Sequence, residues 1–492
     1  MTGMRMCLLV SLGGALFAFA LRLATLWTRD VWIDEALTQY ALSLDWKGLI
    51  ADRVSAGHSP VYFLLLKALG LDPANLVGLR AASAVLDSMA CGVLGFAVAR
   101  HVGLRAAVFT QSLYALQPVL LIWAQNARPY ALMMLMLAIA LLGAMEVIVS
   151  RGQRRWPGWL VATGLVGASI TLTGGLIAAT LIAVSPLASA RFRSDTPLCR
   201  HWLRLLRVPV AAAVAMLVIV TLPHVVTASD TYWTLRAVPF GTGSLVDLVQ
   251  SYAIGDRLAW RDMTRVIGVA STQLTILGVL VVMAAAALKG VIYLRWRPAF
   301  IPLFALAFAF PLLFLGMSLY TSLLVPRYFL PAMGATTALA GIGLAEWSRT
   351  PAGVVVAAVL MLVVAIFAVN QSLAPGMGRN AVSRQMADII LPLSDDRTQV
   401  LTMRGDYVGV DLRTEILPAS LGRRGHPTVR DADPTQTARL LQEGAPVFLI
   451  ATRDAWDNAY APVLPPPGCQ WQLNAWVLAY WGKAGPCTGF SG

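Results

Sequence analysis

Charged residues are scarce in this sequence, and acidic residues are the scarcer kind. Of the 492 residues, 13% are charged and only 25 are Asp or Glu, whereas 58% are hydrophobic. Soluble domains are nearer to about 25% charged, so a soluble fold is excluded for most of the chain. The net charge of +13 does not indicate nucleic-acid binding, because the basic residues are spread over short loops between apolar runs.

Cofactor motifs are also lacking. The chain has five Cys and five His, but no CxxC or His-rich spacing that would bind zinc. It has neither a P-loop nor a dinucleotide-binding fingerprint. A nucleotide-driven pump is therefore not expected. The sequence predicts no cofactor and no metal ligands, although a divalent metal stays open as an alternative.

Long apolar runs, in contrast, are abundant. Eleven of them have the length needed to cross a bilayer. They are residues 7–27, 76–99, 105–123, 128–149, 157–170, 172–189, 208–226, 265–288, 299–318, 328–346 and 352–370. Residues 171–174 are either a tight turn or a kink. The predicted fold is an α-helical polytopic membrane protein with about 11 transmembrane helices.

Basic residues concentrate in alternate loops, which predicts the orientation of the chain. By the positive-inside rule, those loops and the N-terminus are cytoplasmic. Loop 27–75 and the tail then lie outside, at the periplasmic or extracellular face. We expect a multi-pass protein of a bacterial-type inner (plasma) membrane.

The composition changes after residue 370. Residues 1–370 are predicted to form the transmembrane domain, and residues 371–492 a small C-terminal α/β exported domain. Its predicted elements are helices 383–391 and 435–443 and strands 399–403 and 447–451. Cys469 and Cys487 are the only cysteines of this part and flank one strand-like segment, 470–481. Because exported compartments favour disulfides, we expect these two to be bonded.

An acidic pair, Asp34-Glu35, follows the first apolar run. Ionisable groups at a membrane are costly to hold, so they are candidates for function. The alternative is a solvated first turn of a helix, where acidic residues are stabilised by the helix dipole.

Cations and aromatic residues recur on the same predicted side. Arg binds phosphate through paired hydrogen bonds, and a lipid with a phosphate head would suit such a surface. Ordinary interface anchors are the alternative, but positive charge outside runs against the topological bias. The candidate substrate-binding residues are His58, Tyr62, Lys67, Arg80, Arg128, Tyr130, Arg327 and Tyr328.

Four stretches of the sequence, which include most of these candidate residues, together resemble a known family. They are WIDEALTQYALS, HSPVYFLLLKAL, NARPYAL and VPRYFLPA. Their order resembles the GT-C superfamily of integral membrane glycosyltransferases, nearest to the protein O-mannosyltransferase and aminoarabinose lipid A transferase group. The resemblance covers roughly residues 1–350.

The resemblance implies an activity and a catalytic site in external loop 27–75. A sugar would move, with inversion, from a polyprenyl-phosphate-linked donor to a hydroxyl of a lipid, glycan or protein acceptor. The first acidic residue of the loop, Asp34, would be the catalytic base, supported by Glu35.

Two other classes of protein would also have many membrane-spanning helices. A secondary transporter or lipid-linked-sugar flippase would need a polar path through the middle of the membrane. A non-catalytic scaffold would leave Asp34-Glu35 without a task.

Overall fold

The computed structural model describes most of the chain and divides it into two compact units. The described residues are 2–26, 33–222, 242–255, 263–319, 323–373, 381–395, 397–402, 428–431, 433–473 and 476–482. The first unit takes its described residues from 1–28, 45–71 and 77–374, and the second from 29–44, 72–76 and 375–492. The helix that carries Asp34-Glu35 thus belongs to the same unit as the C-terminal tail, whereas the sequence analysis grouped it with the transmembrane domain.

Helices make up the first unit and part of the second. In chain order they are α1 (Thr2–Leu23), α2 (Ile33–Ser43), α3 (Trp46–Ser55), α4 (Val61–Ala68), α5 (Leu76–His101), α6 (Leu104–Leu116), α7 (Pro118–Ala124), α8 (Tyr130–Val149), α9 (Trp156–Thr171), α10 (Thr173–Val184), α11 (Ala190–Ser194), α12 (Thr196–Leu205), α13 (Arg207–Met216), α14 (Thr242–Ile254), α15 (Val269–Leu294), α16 (Ile301–Phe304), α17 (Phe310–Met317), α18 (Leu330–Trp347), α19 (Pro351–Leu373), α20 (Ala381–Leu393), α21 (Pro434–Gln442) and α22 (Arg453–Ala455). A 3-10 turn, Pro326–Phe329, leads into α18.

Eight helical stretches in the described residues are long and apolar enough to cross a membrane. They are Gly3–Leu23, Leu76–His101, Tyr130–Val149, Thr196–Thr221, Val269–Leu294, Pro298–Met317, Pro326–Trp347 and Pro351–Ser372. Each overlaps a predicted run. The other three predicted runs are bent or short in the described residues, so the predicted number of about eleven is an approximate count of spans.

The run 105–123 is bent, not continuous. Helices α6 and α7 meet at 66°, and as one bent span they would raise the count of spans to nine. Pro118 causes the break, since it has no N–H to donate and forces the preceding Gln117 into an extended conformation. The Gln117 side chain then caps α7 by accepting a hydrogen bond from the Leu120 N–H at 2.6 Å.

The runs 157–170 and 172–189 are two shorter helices, α9 and α10. Leu172 between them is extended, with φ −152° and ψ 151°. Residues 171–174 therefore do not form a kink within one continuous helix. They contain a sharp turn between two separate helices.

Small residues let the long helices approach closely. A Cβ on Gly343 of α18 would lie 1.8 Å from the carbonyl oxygen of Ala286 in α15. A Cβ on Gly164 of α9 would lie 2.4 Å from the backbone nitrogen of Ala140 in α8. Van der Waals packing of this kind stabilises helix pairs in lipid, where burial of apolar surface contributes little.

The described strands of the second unit form one mixed sheet. They are β1 (Gln399–Thr402), β2 (Thr428–Asp431), β3 (Val447–Thr452), β4 (Cys469–Leu473) and β5 (Trp476–Trp481). The order is β2-β1-β3-β5-β4. Strand β1 pairs in parallel with β2 and β3, and β5 is antiparallel to β3 and β4. The small α/β domain of the prediction is confirmed, but the segment 470–481 is two strands, because unbroken alternation of apolar residues does not locate a turn.

Apolar residues cover both faces of the sheet. Phe448 and Ile450 pack with Met386 and Ile390 of α20 on one face. Leu449 and its neighbours pack on the other face with aromatic residues that follow α22. Successive side chains of a strand point to opposite faces, so a strand that is apolar throughout is expected to lie inside a layered α/β fold.

Cys469 begins β4 and is disulfide-bonded. Its predicted partner, Cys487, lies outside the described residues, so the pairing stays a prediction. Among the described cysteines, Cys7, Cys91 and Cys199 are free thiols.

Candidate active site

The bend at Pro118 sets up the candidate site of the first unit. After the bend, α7 carries Trp123, which is 5% exposed, and the chain turns before α8 begins. Arg128 lies in this turn, where its N–H donates to the carbonyl of Asn126 at 2.7 Å. The Arg128 side chain is only 4% exposed, so the turn holds a guanidinium group among the helix ends.

Phe63 of α4 lies between two arginines. The Cζ atom of Arg128 is 5.9 Å from the centre of the Phe63 ring, and that of Arg53 is 5.2 Å away. Both distances are within the range of a cation–π attraction. The Arg53 Nε also donates to a carboxylate oxygen of Asp52 at 2.7 Å, so Arg53 has an acidic neighbour within its own helix.

The second predicted arginine contacts the same part of the chain. The Cζ of Arg327 is 5.7 Å from the Trp123 ring and 5.3 Å from the ring of Tyr328. Trp123 also packs edge-on against Tyr130, with 5.0 Å between ring centres. The two Arg-Tyr motifs, which are distant in sequence, thus share one indole ring. We call Phe63, Trp123, Arg128, Tyr130 and Arg327 the arginine–aromatic cluster.

His58 and Lys67 lie at the edges of the loop helices. His58 follows Gly57, whose φ of 71° ends α3, and its N–H bonds to the Arg53 carbonyl at 2.8 Å. Lys67 is partly buried, with its Nζ 5.7 Å from the centre of the Trp46 ring. Both side chains are partly exposed, which leaves them suited to contact a substrate.

Tyr62 and Arg80 are placed more like structural residues. The Tyr62 side chain is fully buried, and its hydroxyl is 2.7 Å from that of Ser83 in α5. Arg80 is 2% exposed and donates from Nη1 to the carbonyl of Leu26 at 2.9 Å. Their burial favours a role in positioning the helices over direct contact with substrate.

The acidic pair lies in the first turn of α2, in the second unit. Glu35 is 2% exposed, whereas Asp34 is only partly buried. The Thr38 hydroxyl donates to the Asp34 carbonyl at 3.0 Å, and the Gln39 amide donates to the Pro73 carbonyl at 2.8 Å. The more accessible carboxylate of the pair is the first one.

A buried ion pair escaped the sequence analysis. Arg22 of α1 donates from Nε and Nη2 to Asp87 of α5 at 2.9 and 2.5 Å, and both side chains are almost completely buried. The Tyr114 hydroxyl donates to the other Asp87 oxygen at 2.9 Å. The signal was present, since opposite charges fall inside two predicted spans.

The residues described in the two units include no group of three His, Cys, Asp or Glu side chains that could hold a metal ion.

Comparison with solved structures identifies the fold. ArnT from Cupriavidus metallidurans, bound to undecaprenyl phosphate, matches with a TM-score of 0.55 and 17% identity over 94% of this chain and 97% of its own. The Archaeoglobus fulgidus oligosaccharyltransferase in the apo form matches with a TM-score of 0.55 and 11% identity over 91% of this chain and 70% of its own. The arabinofuranosyltransferase AftD from Mycobacteria matches with a TM-score of 0.54 and 16% identity over 89% of this chain and 35% of its own.

The chain has the GT-C fold. The resemblance seen in the four sequence stretches is thereby confirmed at the level of the fold. No protein-family model and no curated protein sequence matches the chain. A GT-C fold at such low identity does not carry over the residues of the site, which rest on the geometry above.

Proposed function

We propose that this GT-C protein is a membrane glycosyltransferase that uses a polyprenyl-phosphate-linked sugar donor. The observation that carries the proposal is the arginine–aromatic cluster, in which Arg128 contacts the ring of Phe63 and Arg327 contacts the ring of Trp123. The ArnT structure, which shares the fold, contains undecaprenyl phosphate, and this is the class of lipid that the cluster suits.

The cluster supplies oriented positive charge at the end of a helix bundle. Phe63 and Trp123 lie within cation–π range of the two guanidinium groups, at 5.9 and 5.7 Å from Cζ to the ring centre. A cation–π contact does not use the forked N–H edge to which a phosphate binds. Polyprenyl phosphate leaves with the electron pair of the broken bond, and these cations would stabilise the charge that develops on it.

Asp34 is proposed as the general base. Its carboxylate would take the proton of the acceptor hydroxyl, while the acceptor oxygen bonds to the anomeric carbon of the sugar. The bond from that carbon to the phosphate oxygen breaks on the opposite face, so the configuration inverts. The acceptor is a hydroxyl of a lipid, a glycan or a protein. Glu35, being almost completely buried, is assigned to supporting α2.

The test of the base is sugar transfer by the purified protein from a synthetic polyprenyl-phosphate donor. Asp34→Asn keeps the size of the side chain and removes the proton acceptor, so turnover should fall by roughly 100-fold or more. Glu35→Gln should reduce it less.

Asp45→Asn is the matched control. Asp45 caps α3 by accepting from the Gly48 N–H at 2.7 Å, and Asn is an equally good cap. This variant should transfer at the normal rate. A stable Asp34→Asn protein with normal transfer would show that the base is elsewhere, and an inactive Glu35→Gln protein would exchange the two roles.

The test of the carrier site is affinity for polyprenyl phosphate. Each of Arg128→Ala and Arg327→Ala should weaken binding by roughly 10- to 100-fold, the worth of a charged hydrogen bond. Lys should restore it only in part, because it lacks the forked geometry.

Arg349→Ala provides the control for that test. Arg349 follows the far end of α18, the helix that Arg327 precedes, and its Nη2 pairs with Glu346 at 2.9 Å. Its loss should leave carrier affinity unchanged. If both cluster variants bind the carrier normally, the phosphate site lies elsewhere, and Lys67 is the next candidate.

A transporter or flippase stays the alternative function. It needs polar groups at mid-membrane, and the buried charges Arg22 and Asp87 of α1 and α5 are engaged with each other. Transfer in detergent distinguishes the classes, because a transporter would form no glycosylated product.

A further inference from the structure

A cleft lies at the ends of α5 and α8 that are far from the arginine–aromatic cluster. Helix α5 begins near Arg80 and ends at Arg100 and His101, and α8 follows Arg128 and ends at Val149. A helix of this length spans about 30 Å, so the two ends are separate sites. The cleft has a volume of about 1030 Å³ and includes Arg100, Arg151, Arg191, Asp195, Trp296 and Arg297 in its lining. We call these six residues the basic cleft.

The basic cleft carries an excess of positive charge. Its four arginines face one lining carboxylate, that of Asp195. Arg100 is ion-paired with the buried Glu146 nearby. Arg151 is 72% exposed and lies 3.9 Å from Asp195, whereas Arg297 donates to the His101 carbonyl at 3.1 Å and to the Tyr293 hydroxyl at 3.3 Å.

Arg151 is held in an unfavourable backbone conformation. Its φ is 51°, and it is the one described residue other than glycine with a positive φ. Residues with a Cβ rarely adopt this conformation. Arg151 follows the end of α8 in a Schellman cap, in which the Gly152 N–H donates to the Val147 carbonyl at 3.0 Å, and glycine is the usual residue at this position. The next residue, Gly152, also has a positive φ, and a Cβ there would lie 2.8 Å from His201. A glycine at 151 would fit the turn better, and the arginine side chain that stands there is 72% exposed, with its Nε 3.9 Å from the Asp195 carboxylate.

The surroundings of the cleft are those of a membrane interface. The Trp296 side chain is 79% exposed, and Val149 beside the cleft is 59% exposed. Exposed tryptophan at a helix end is typical of the level of lipid headgroups. The loop charges predict this side to be cytoplasmic, where basic pockets between transmembrane helices bind anionic headgroups.

We propose that the basic cleft binds the phosphate headgroup of an anionic phospholipid. Arg151, Arg191 and Arg297 contact the phosphate, and the apolar rim receives the start of the acyl chains. This site is separate from the arginine–aromatic cluster and does not depend on the sugar-transfer activity.

The test uses the full-length protein in a neutral detergent, with bound lipid counted by native mass spectrometry. The probes are a short-chain phosphatidylglycerol, a phosphatidylcholine with the same chains, and inorganic phosphate. Phosphatidylglycerol should bind in preference to phosphatidylcholine. Arg151→Gly and Arg191→Ala should each weaken its binding by about fivefold, the usual effect of one arginine near an anionic lipid surface.

Two features of these variants separate binding from folding. Arg151→Gly relieves the backbone strain, so its melting temperature should equal or exceed that of the unchanged protein. Arg193→Ala is the control for Arg191→Ala, since both lie in α11 but Arg193 is outside the cleft lining and donates to the Leu187 carbonyl. It should bind the lipid normally.

Three results would overturn the proposal. Equal binding of both phospholipids would show that the headgroup charge is not recognised. An equal loss in Arg193→Ala would indicate diffuse surface charge without a site. Displacement of the lipid by inorganic phosphate at the same concentration would assign the cleft to a soluble phosphate compound.

Discussion

Replacing Asp87 with Asn would leave a buried arginine without its counter-charge. In the structure, the Asp87 carboxylate accepts two hydrogen bonds from Arg22 and one from Tyr114. The side chains of Arg22 and Asp87 are 0% and 3% exposed. Asparagine keeps one acceptor oxygen but carries no charge, and its amide group points two donors toward a cation.

The expected cost is large because water cannot screen the remaining charge. Removing one member of a buried ion pair destabilises proteins by about 3–5 kcal/mol. This corresponds to a shift of roughly two to three and a half powers of ten in the unfolding equilibrium. Removing both charges costs much less, so Arg22→Met combined with Asp87→Leu should recover most of the loss. Adding Tyr114→Phe to this double variant should recover more stability, because it removes the hydroxyl that the double variant leaves unsatisfied.

The measured quantity is the melting temperature in detergent, which is the temperature at which half of the solubilised protein is no longer monodisperse. Glu346→Gln is the control, because it breaks the pair with Arg349, which is 63% exposed, and exposed pairs contribute at most about 1 kcal/mol. Asp87→Asn should melt well below this control. If Asp87→Asn melts at the same temperature as the control, or if the combined variant is as unstable as the single one, the buried pair does not contribute the stability assigned to it.

Three other predictions concern topology, the disulfide and helix packing. Single cysteines at Ser194 and Ala461, both exposed, should be labelled from opposite sides of the membrane, and labelling from one side would contradict the orientation. Cys469 and Cys487 should resist alkylation without reduction in intact-mass measurements, because a disulfide has no free thiol. The bond should stabilise its short loop by at most about 3 kcal/mol, and two alkylated thiols would refute it. Gly343→Ala should lower the melting temperature, because its Cβ would overlap a backbone carbonyl, and unchanged melting would show that the helices can separate at little cost.

Periodicity predicted the elements well wherever local sequence determines them. The helix predicted at 383–391 lies inside α20, and the strand predicted at 399–403 coincides with β1 except at its last residue, which lies outside the described residues. Apolar length likewise located the spans. It failed at Pro118, because hydropathy is the same on both sides of a bend, and the proline signal was outweighed by the apolar run.

Contacts between distant stretches are a different matter. The cation–π contacts of Arg128 with Phe63 and of Arg327 with Trp123 depend on how the helices pack, which no local pattern contains. The sequence suggested that Arg-Tyr motifs mattered, but it singled out the tyrosines, whereas the rings under these guanidinium groups include Phe63 and Trp123. The basic cleft was missed for a related reason, since its arginines lie in separate loops of the sequence and only the packing of the helices brings them together.

The acidic pair shows what burial adds to a motif. Adjacent residues of a helix point about 100° apart, so the sequence already implied that Asp34 and Glu35 cannot both meet one hydroxyl. It did not determine which of them is turned inward. Burial separates them: Glu35 is 2% exposed, and Asp34 is only partly buried. A base must reach the proton that it removes, so the partly exposed carboxylate is the better candidate.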